Sequence, residues 1–136
     1  MPLPPQIFTS GTYGFSFQYP PDFNITEVDE NNGGNTILAE GTNKKSFQIF
    51  IAPFDEQGSI TPERIKKDLP GVAIENPQNV LIAGKTITAL LFFGKGENLT
   101  RTREIWFVKN GNLYQVTAYD NMDSVVGPLL ESLRFE

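Results

Sequence analysis

The dipeptide Asn110-Gly111 lies between two largely apolar segments, Ile105–Val108 and Leu113–Tyr119. Asn-Gly is the preferred centre of a two-residue hairpin turn, because both residues tolerate the positive φ that a type I′ turn requires. Apolar segments on both sides complete the signal for two paired strands. The sequence therefore predicts a β-hairpin here, and antiparallel pairing constrains every fold that the chain can adopt.

Alternating side chains predict further strands earlier in the chain. Phe15, Phe17 and Tyr19 share one face of a strand that ends at Pro20, because proline lacks the N–H that a strand ladder needs. Further strands are predicted at 23–27, 37–40, 46–52, 80–82 and 86–93. The last of these is apolar on both faces, which predicts a central strand covered on both sides.

A first helix is predicted by local signals. Thr61 fits the N-cap and Pro62 fits the first helical position, while Ile60 and Ile65 are spaced as a hydrophobic staple. Leu69-Pro70-Gly71 ends the helix after about two turns.

A second helix is predicted near the end of the chain, with Asp120 or Asn121 as its cap. Pro128, which follows Gly127, is expected to weaken its middle. Its apolar stripe has helical spacing and consists of Met122, Val125, Val126, Leu129, Leu130 and Leu133. The predicted fold class is therefore α+β, with a largely antiparallel sheet flanked by short helices.

The 136 residues suit one domain preceded by a linker. Residues 1–12 open with the run Met1-Pro2-Leu3-Pro4-Pro5, and a proline-rich stretch is typical of an extended tether. Residues 13–136 are predicted to be the single domain. Because a tether connects something, we expect a missing upstream segment that anchors the domain to a membrane. A cytosolic domain that starts this way is the alternative.

The composition excludes several classes of site. The chain has no cysteine and no histidine, which removes disulfides, thiolate metal sites, a cysteine nucleophile and any Ser-His-Asp triad. Its net charge of -5 argues against a nucleic-acid partner. No run approaches the roughly 18 apolar residues of a membrane span, so we expect no direct membrane insertion of this segment.

Segments spread over the chain resemble the Mog1/PsbP-like family. Residues 13–23 resemble its aromatic first hairpin, in which Gly14-Phe15-Ser16-Phe17 precedes Tyr19-Pro20 and a further aromatic residue, Phe23. Residues 80–85 resemble its mid-chain strand that runs into a glycine, and residues 130–135 resemble its end. The resemblance covers nearly the whole chain from Tyr13.

This resemblance implies an α/β/α sandwich around an antiparallel sheet. PsbP proteins are extrinsic subunits of photosystem II, and their bacterial relatives are commonly secreted or lipid-anchored. The chain departs from plant PsbP because it has no histidine and no recognisable extended N-terminal arm, so histidine-mediated metal binding does not carry over. The resemblance therefore implies a fold and a compartment more than an activity.

One polar segment offers a partial match to a metal-binding motif. Asp29, Asn31, Gly34 and Glu40 occupy positions 1, 3, 6 and 12 of an EF-hand-like calcium loop, which uses oxygen ligands and a sharp glycine turn. Position 5 is Gly33, which offers no side-chain ligand, and the flanking segments are predicted strands rather than helices. Two interpretations follow: a calcium site formed by Asp29, Asn31 and Glu40, or a polar hairpin loop.

Arg101, Arg103 and Trp106 are the candidate partner-binding residues. The two arginines share one strand face, where paired guanidinium groups can hold a carboxylate or a phosphate. The alternative is that they are solvated edge-strand charges that discourage aggregation. Trp106 belongs to an aromatic group on the last hairpin, which forms either core or an exposed groove for a partner. The other members of the group are Phe107, Tyr114 and Tyr119.

These observations favour a non-enzymatic accessory domain outside the cytoplasm, tethered to the membrane and bound to a protein partner of the cell envelope. We expect a monomer without a cofactor. One alternative is a small-ligand or calcium-binding domain, and another is a cytoplasmic Mog1-like protein that acts on a GTPase-type partner. A hydrolase that uses two of the 16 carboxylates is the last alternative, although no spacing singles out a pair.

Overall fold

The computed structural model describes residues 4–31, 33–41, 45–56, 58–95, 101–119 and 122–135. These residues contain ten strands and two helices. The strands are β1 (Gln6–Ser10), β2 (Phe15–Tyr19), β3 (Asn24–Asp29), β4 (Asn35–Glu40), β5 (Ser46–Pro53), β6 (Glu75–Ile82), β7 (Ile87–Lys95), β8 (Arg101–Lys109), β9 (Asn112–Tyr119) and β10 (Arg134–Phe135). The helices are α1 (Pro62–Asp68), between β5 and β6, and α2 (Asp123–Glu131), between β9 and β10.

The strands pair antiparallel in two sheets. The larger sheet has seven strands in the order β3-β4-β5-β9-β8-β7-β6, and the smaller has three in the order β1-β2-β10. The turn between β8 and β9 has positive φ at both Asn110 and Gly111, as the sequence predicts. The predicted central strand, β7, is the sixth of the seven, while β9 stands in the middle.

The larger sheet is covered on both faces. On one face, Ile60 and Ile65 of the α1 region pack against Leu90, Phe92 and Trp106. On the other face, α2 and the smaller sheet bury a second apolar cluster that includes Phe15, Phe17, Phe107, Tyr114, Val126 and Leu129. The antiparallel α+β fold with two short helices that the sequence predicts is confirmed.

Helix α1 has the local structure that its sequence predicts. The Thr61 hydroxyl accepts a hydrogen bond from the backbone N–H of Arg64 at 3.2 Å, and the helix ends before Leu69. Arg64 lies 4.4 Å from the centre of the Phe54 ring. Its guanidinium also forms ion pairs with Asp55, Glu56 and Asp68. Arg64 therefore fastens the helix to the segment that leads from β5.

Helix α2 carries the predicted apolar stripe and continues through Pro128. Met122, Val126 and Leu129 are buried against the larger sheet. The predicted caps, Asp120 and Asn121, lie outside the described residues. Within the described ranges, neither helix combines the length and the apolar character that crossing a membrane requires.

Residues 6–10 form β1, although the sequence predicts a linker over residues 1–12. The strand pairs with β2 from Gln6, opposite Tyr19, to Ser10, opposite Phe15. Ser10 is buried but Ile7 is 65% exposed, so the apolar alternation that marks a strand is weak here. The folded domain therefore includes residues that the linker prediction left out.

Candidate partner-binding site

The structure separates the three candidate calcium ligands. Asp29 ends β3 and pairs with Asn35, whereas Glu40 ends β4 and pairs with Asn24. Residues 35–40 extend as a strand instead of curling around an ion. Because Asp29 stands opposite Asn35, the length of this strand at ~3.4 Å per residue places Asp29 about 17 Å from Glu40. The Asp29 Oδ1 atom accepts the backbone N–H of Asn31 at 2.8 Å, which closes a local turn.

The carboxylates of the described residues form no group of three or more that could hold a metal ion. Asp29, Asn31 and Glu40 therefore do not form one site.

Arg101 and Arg103 lie together over one aromatic ring. Both belong to β8 and face the side of the larger sheet on which α2 lies, and Arg103 stands opposite Phe93 of β7. The guanidinium carbon of Arg101 is 3.6 Å from the Phe93 ring centre, and that of Arg103 is 4.2 Å from it. Cation–π contacts at these distances hold both guanidinium groups at one place on the surface.

Lys95 adds a third positive charge, since it stands opposite Arg101 on the same face. We call Lys95, Arg101 and Arg103 the cationic corner. Like charges directly opposite each other destabilise a sheet, and here they occur in a chain with a net charge of -5. The carboxylate of Glu75 of β6 stands opposite Phe93. Among the described residues, the corner brings three positive charges together on an acidic protein.

An aliphatic groove of about 370 Å³ begins at Arg103 and lies between α2 and the strands β6, β7 and β8. This volume is at the lower end of the roughly 300–1,000 Å³ of small-molecule sites. Gly127 contributes no side chain to the α2 wall, and a Cβ atom built there meets nothing within 4 Å. Besides Arg103 and Gly127, the groove is lined by Val80, Leu81, Ile82, Leu91, Ile105, Val126, Leu130 and Glu131.

Trp106 does not belong to this surface. It is 5% exposed and lies under α1, on the opposite face of the larger sheet from Arg103. Its indole N–H donates to Glu104 Oε1 at 3.0 Å, and the Thr117 hydroxyl donates to the same atom at 2.8 Å. Burial raises the pKa of Glu104, and these hydrogen bonds only partly oppose the shift.

Two other members of the aromatic group are also core. The rings of Phe107 and Tyr114 stack with their centres 4.8 Å apart. The Tyr114 hydroxyl is buried and has no hydrogen-bond partner among the described residues. Its pKa is raised, first by burial and then by the nearby Tyr13. The side chain of Tyr119 lies outside the described part of the chain.

Sequence reasoning placed the two arginines on one face but missed Phe93 and the groove. The pairing of Phe93 with Arg103 depends on the register between β7 and β8. The groove depends on the position of α2 relative to three strands. The sequence holds one signal for Phe93. Residues 90–93 are apolar on both faces of their strand, which indicates that apolar side chains lie on the α2 side as well.

Comparisons with known proteins show a likeness of fold. No protein-family model matches the chain, and no curated protein matches it. Among solved structures, it is similar to cyanobacterial PsbP (CyanoP) from Synechocystis sp. PCC 6803, with a TM-score of 0.61 and 11% sequence identity. The match covers 97% of this chain and 92% of that chain. The PsbP-like fold that the sequence resemblance implies is thereby confirmed.

Proposed function

We propose, on the premise of a PsbP-like fold, that this chain is a non-enzymatic accessory domain that works outside the cytoplasm and binds a protein partner. The binding surface is the aliphatic groove together with the cationic corner. One observation carries the proposal: Arg101 and Arg103 are both held over Phe93 at the edge of an open aliphatic groove.

The chemistry of the groove supports binding rather than catalysis. Its lining is aliphatic apart from Gly127, Arg103 and Glu131. General acid–base hydrolysis by carboxylates needs two acids in separate roles, and the described residues of this lining supply one. Apolar surface with a few fixed polar groups at its edge is the usual composition of a recognition site.

A photo-crosslinking experiment in the source cells tests the binding surface. A photoreactive amino acid replaces Leu81, which lines the groove and is 53% exposed. The matched control replaces Val28, which is 43% exposed on β3 at the other edge of the sheet. We expect a protein adduct from position 81 and none from position 28. No adduct, or equal adducts from both positions, would contradict the proposal.

The compartment is tested separately. The proline-rich opening and the PsbP-like fold support a domain tethered outside the cytoplasm by an upstream segment. Mass spectrometry of the protein purified from its source cells should find a lipid or a membrane segment ahead of Pro2. A protein that starts unmodified at Met1 and fractionates with the cytosol would instead favour the Mog1-like cytoplasmic alternative.

A further inference from the structure

We infer that a second cleft, apart from the aliphatic groove, binds a small molecule in which a phosphate monoester is joined to an apolar body. The cleft has a volume of about 410 Å³, within the roughly 300–1,000 Å³ of small-molecule sites. It lies between the turn from β6 to β7, the end of β8 and strand β10. Among the described residues, it shares no lining residue with the aliphatic groove, so the inference is independent of the proposed function.

The charge of this cleft selects an anion. Its charged lining residues are Lys109 and Arg134, and no carboxylate of the described residues lines it. The neighbouring Glu131 lines the aliphatic groove instead. Two cations without a carboxylate beside them, in a chain with a net charge of -5, favour a ligand with more than one negative charge. A phosphate monoester carries about -1.5 to -2 near neutral pH.

Arg134 has one edge of its guanidinium left for a ligand. Its Nη1 atom donates to the backbone oxygens of Glu131 at 3.1 Å and of Leu133 at 2.8 Å. The donors on Nε and Nη2 meet no acceptor among the described residues, and these two nitrogens can hold a phosphate through parallel hydrogen bonds. Because Nη1 is already held at the end of α2, the side chain loses little further freedom on binding.

Lys109 brings the second charge from the end of β8. Its Nζ atom is 5.8 Å from the centre of the Phe135 ring. That ring is itself packed against Phe15, Phe107 and Tyr114, at centre distances between 5.6 and 6.4 Å. A cation–π contact positions the ammonium group without using its N–H donors. Lys109 can therefore donate to a phosphate oxygen.

The turn from β6 to β7 forms a fixed wall of the cleft. Ala83, Gly84 and Lys85 have positive φ values of 54°, 63° and 67°. Non-glycine residues hold such a backbone only where their surroundings determine it, and they are common at ligand sites. The Ala83 N–H donates to a backbone oxygen in the last turn of α2 at 2.9 Å, and the Thr86 hydroxyl donates to the Ala83 oxygen at 2.6 Å. A Cβ atom built on Gly84 would lie 4.0 Å from Arg134 Nη1, so this wall adjoins the guanidinium.

The apolar part of the lining selects the body of the ligand. Ile87 and Leu133 line the cleft together with Phe135. A ligand with an apolar body buries surface here that inorganic phosphate lacks. An anionic membrane surface repels a chain with a net charge of -5, which favours a free small molecule over a lipid headgroup.

NMR titration of the whole chain with phenyl phosphate tests the site. We expect saturable shifts of the backbone amides of Gly84, Thr86 and Lys109. Arg134→Gln should weaken binding at least about tenfold, because it removes charge-assisted hydrogen bonds, and Lys109→Gln should weaken it by about fivefold. Lys66→Gln, which removes one charge from the exposed side of α1, should leave the affinity unchanged.

Two further probes separate the two parts of the ligand. Inorganic phosphate lacks the apolar body, and benzenesulfonate carries the same ring with a single negative charge. We expect both to bind more weakly than phenyl phosphate, and equal affinity of either would overturn the inference. Shifts that do not saturate would also overturn it, as would unchanged affinity in both Arg134→Gln and Lys109→Gln.

Arg134→Lys guards against a folding defect at the end of α2. It keeps the charge but loses the paired donors, so it should fold normally and still weaken binding. Lys109→Gln breaks no side-chain hydrogen bond of the described residues, so its loss of affinity reports the site itself. Co-sedimentation with phosphatidylcholine vesicles that contain phosphatidic acid, but not with pure phosphatidylcholine, would overturn the assignment of a free small molecule.

Discussion

The hydroxyl of Tyr114 is a polar group inside an aromatic core. Its ring stacks on Phe107 and meets Phe15 edge-on, while the oxygen has no hydrogen-bond partner among the described residues. A buried polar group without a partner lowers stability by about 1–3 kcal/mol. We expect Tyr114→Phe to raise the free energy of unfolding by about 1 kcal/mol in urea titrations. Tyr13→Phe, at a half-buried ring, should change it little, and a loss of stability in Tyr114→Phe would contradict the prediction.

Glu104 makes stability depend on pH. Burial raises its pKa, so the folded protein retains a proton at pH values where the unfolded chain has released it. The free energy of unfolding therefore falls as the pH rises from the unfolded-state pKa of Glu104 to its folded-state pKa. Above that range, the loss of stability caused by Glu104 stays constant. Glu104→Gln removes the titrating group. Its stability relative to the wild-type protein should rise over the same pH range and then level off.

Unfolding in urea at pH values from about 3 to 8 checks this prediction, because a glutamate in an unfolded chain has a pKa of about 4.3. The exposed residue Glu30 provides the matched control, Glu30→Gln. A stability difference between Glu104→Gln and wild-type protein that stays constant with pH would count against the role of burial.

At the scale of elements, α2 offers a test of the open groove wall. Gly127 lies inside the helix, and a Cβ atom there meets nothing within 4 Å. Because alanine costs less conformational entropy than glycine in a helix, Gly127→Ala should raise the free energy of unfolding by about 0.5–1 kcal/mol. Gly94→Ala is the contrasting variant, since its Cβ would come within 2.9 Å of Thr102 Oγ1. In thermal denaturation, the Tm of Gly127→Ala should be higher than that of the wild-type protein, and the Tm of Gly94→Ala should be lower.

The two kinds of element also differ in how far the sequence predicts them. α1 depends on neighbouring residues, from the Thr61 cap to the stop at Leu69, so a short window contains every signal. β1 depends on β2 and exposes Ile7, so no local apolar pattern marks it. Like β1, the proposed binding surface depends on contacts between residues that are distant in the sequence. Period-two spacing places Arg101 and Arg103 on one face, but only tertiary structure brings Phe93 and Gly127 to them.

At the scale of the whole molecule, the larger sheet joins two meanders. One consists of β3, β4 and β5, and the other of β6 to β9. Hairpin signals such as Asn110-Gly111 predict neighbours within a meander. The junction is the pairing of β5 with β9, from Phe47 opposite Ala118 to Pro53 opposite Asn112. No turn connects these strands, so the strand order could not be predicted from the sequence.

Truncation at the start of the chain tests whether β1 contributes to the stability of the fold or behaves as a linker. Removing residues 1–10 deletes β1 and uncovers Phe17, whose ring centre is 5.3 Å from that of Phe8. Lost apolar burial and strand hydrogen bonds should lower the free energy of unfolding by about 2–4 kcal/mol. Removing residues 1–5 leaves β1 and should change it little. Equal stability of both truncated proteins would support the linker prediction.

The smaller sheet has a consequence for how the chain folds as it is made. β2 lies between β1 and β10, so Phe15 pairs with Phe135, and the Gln18 N–H donates to Ser132 Oγ at 2.8 Å. These contacts cannot form until synthesis has passed residue 135. Until then the aromatic side chains of the first hairpin lack part of their cover, and exposed apolar strands are prone to aggregation. The first hairpin therefore cannot complete its packing during synthesis until β10 has left the ribosome.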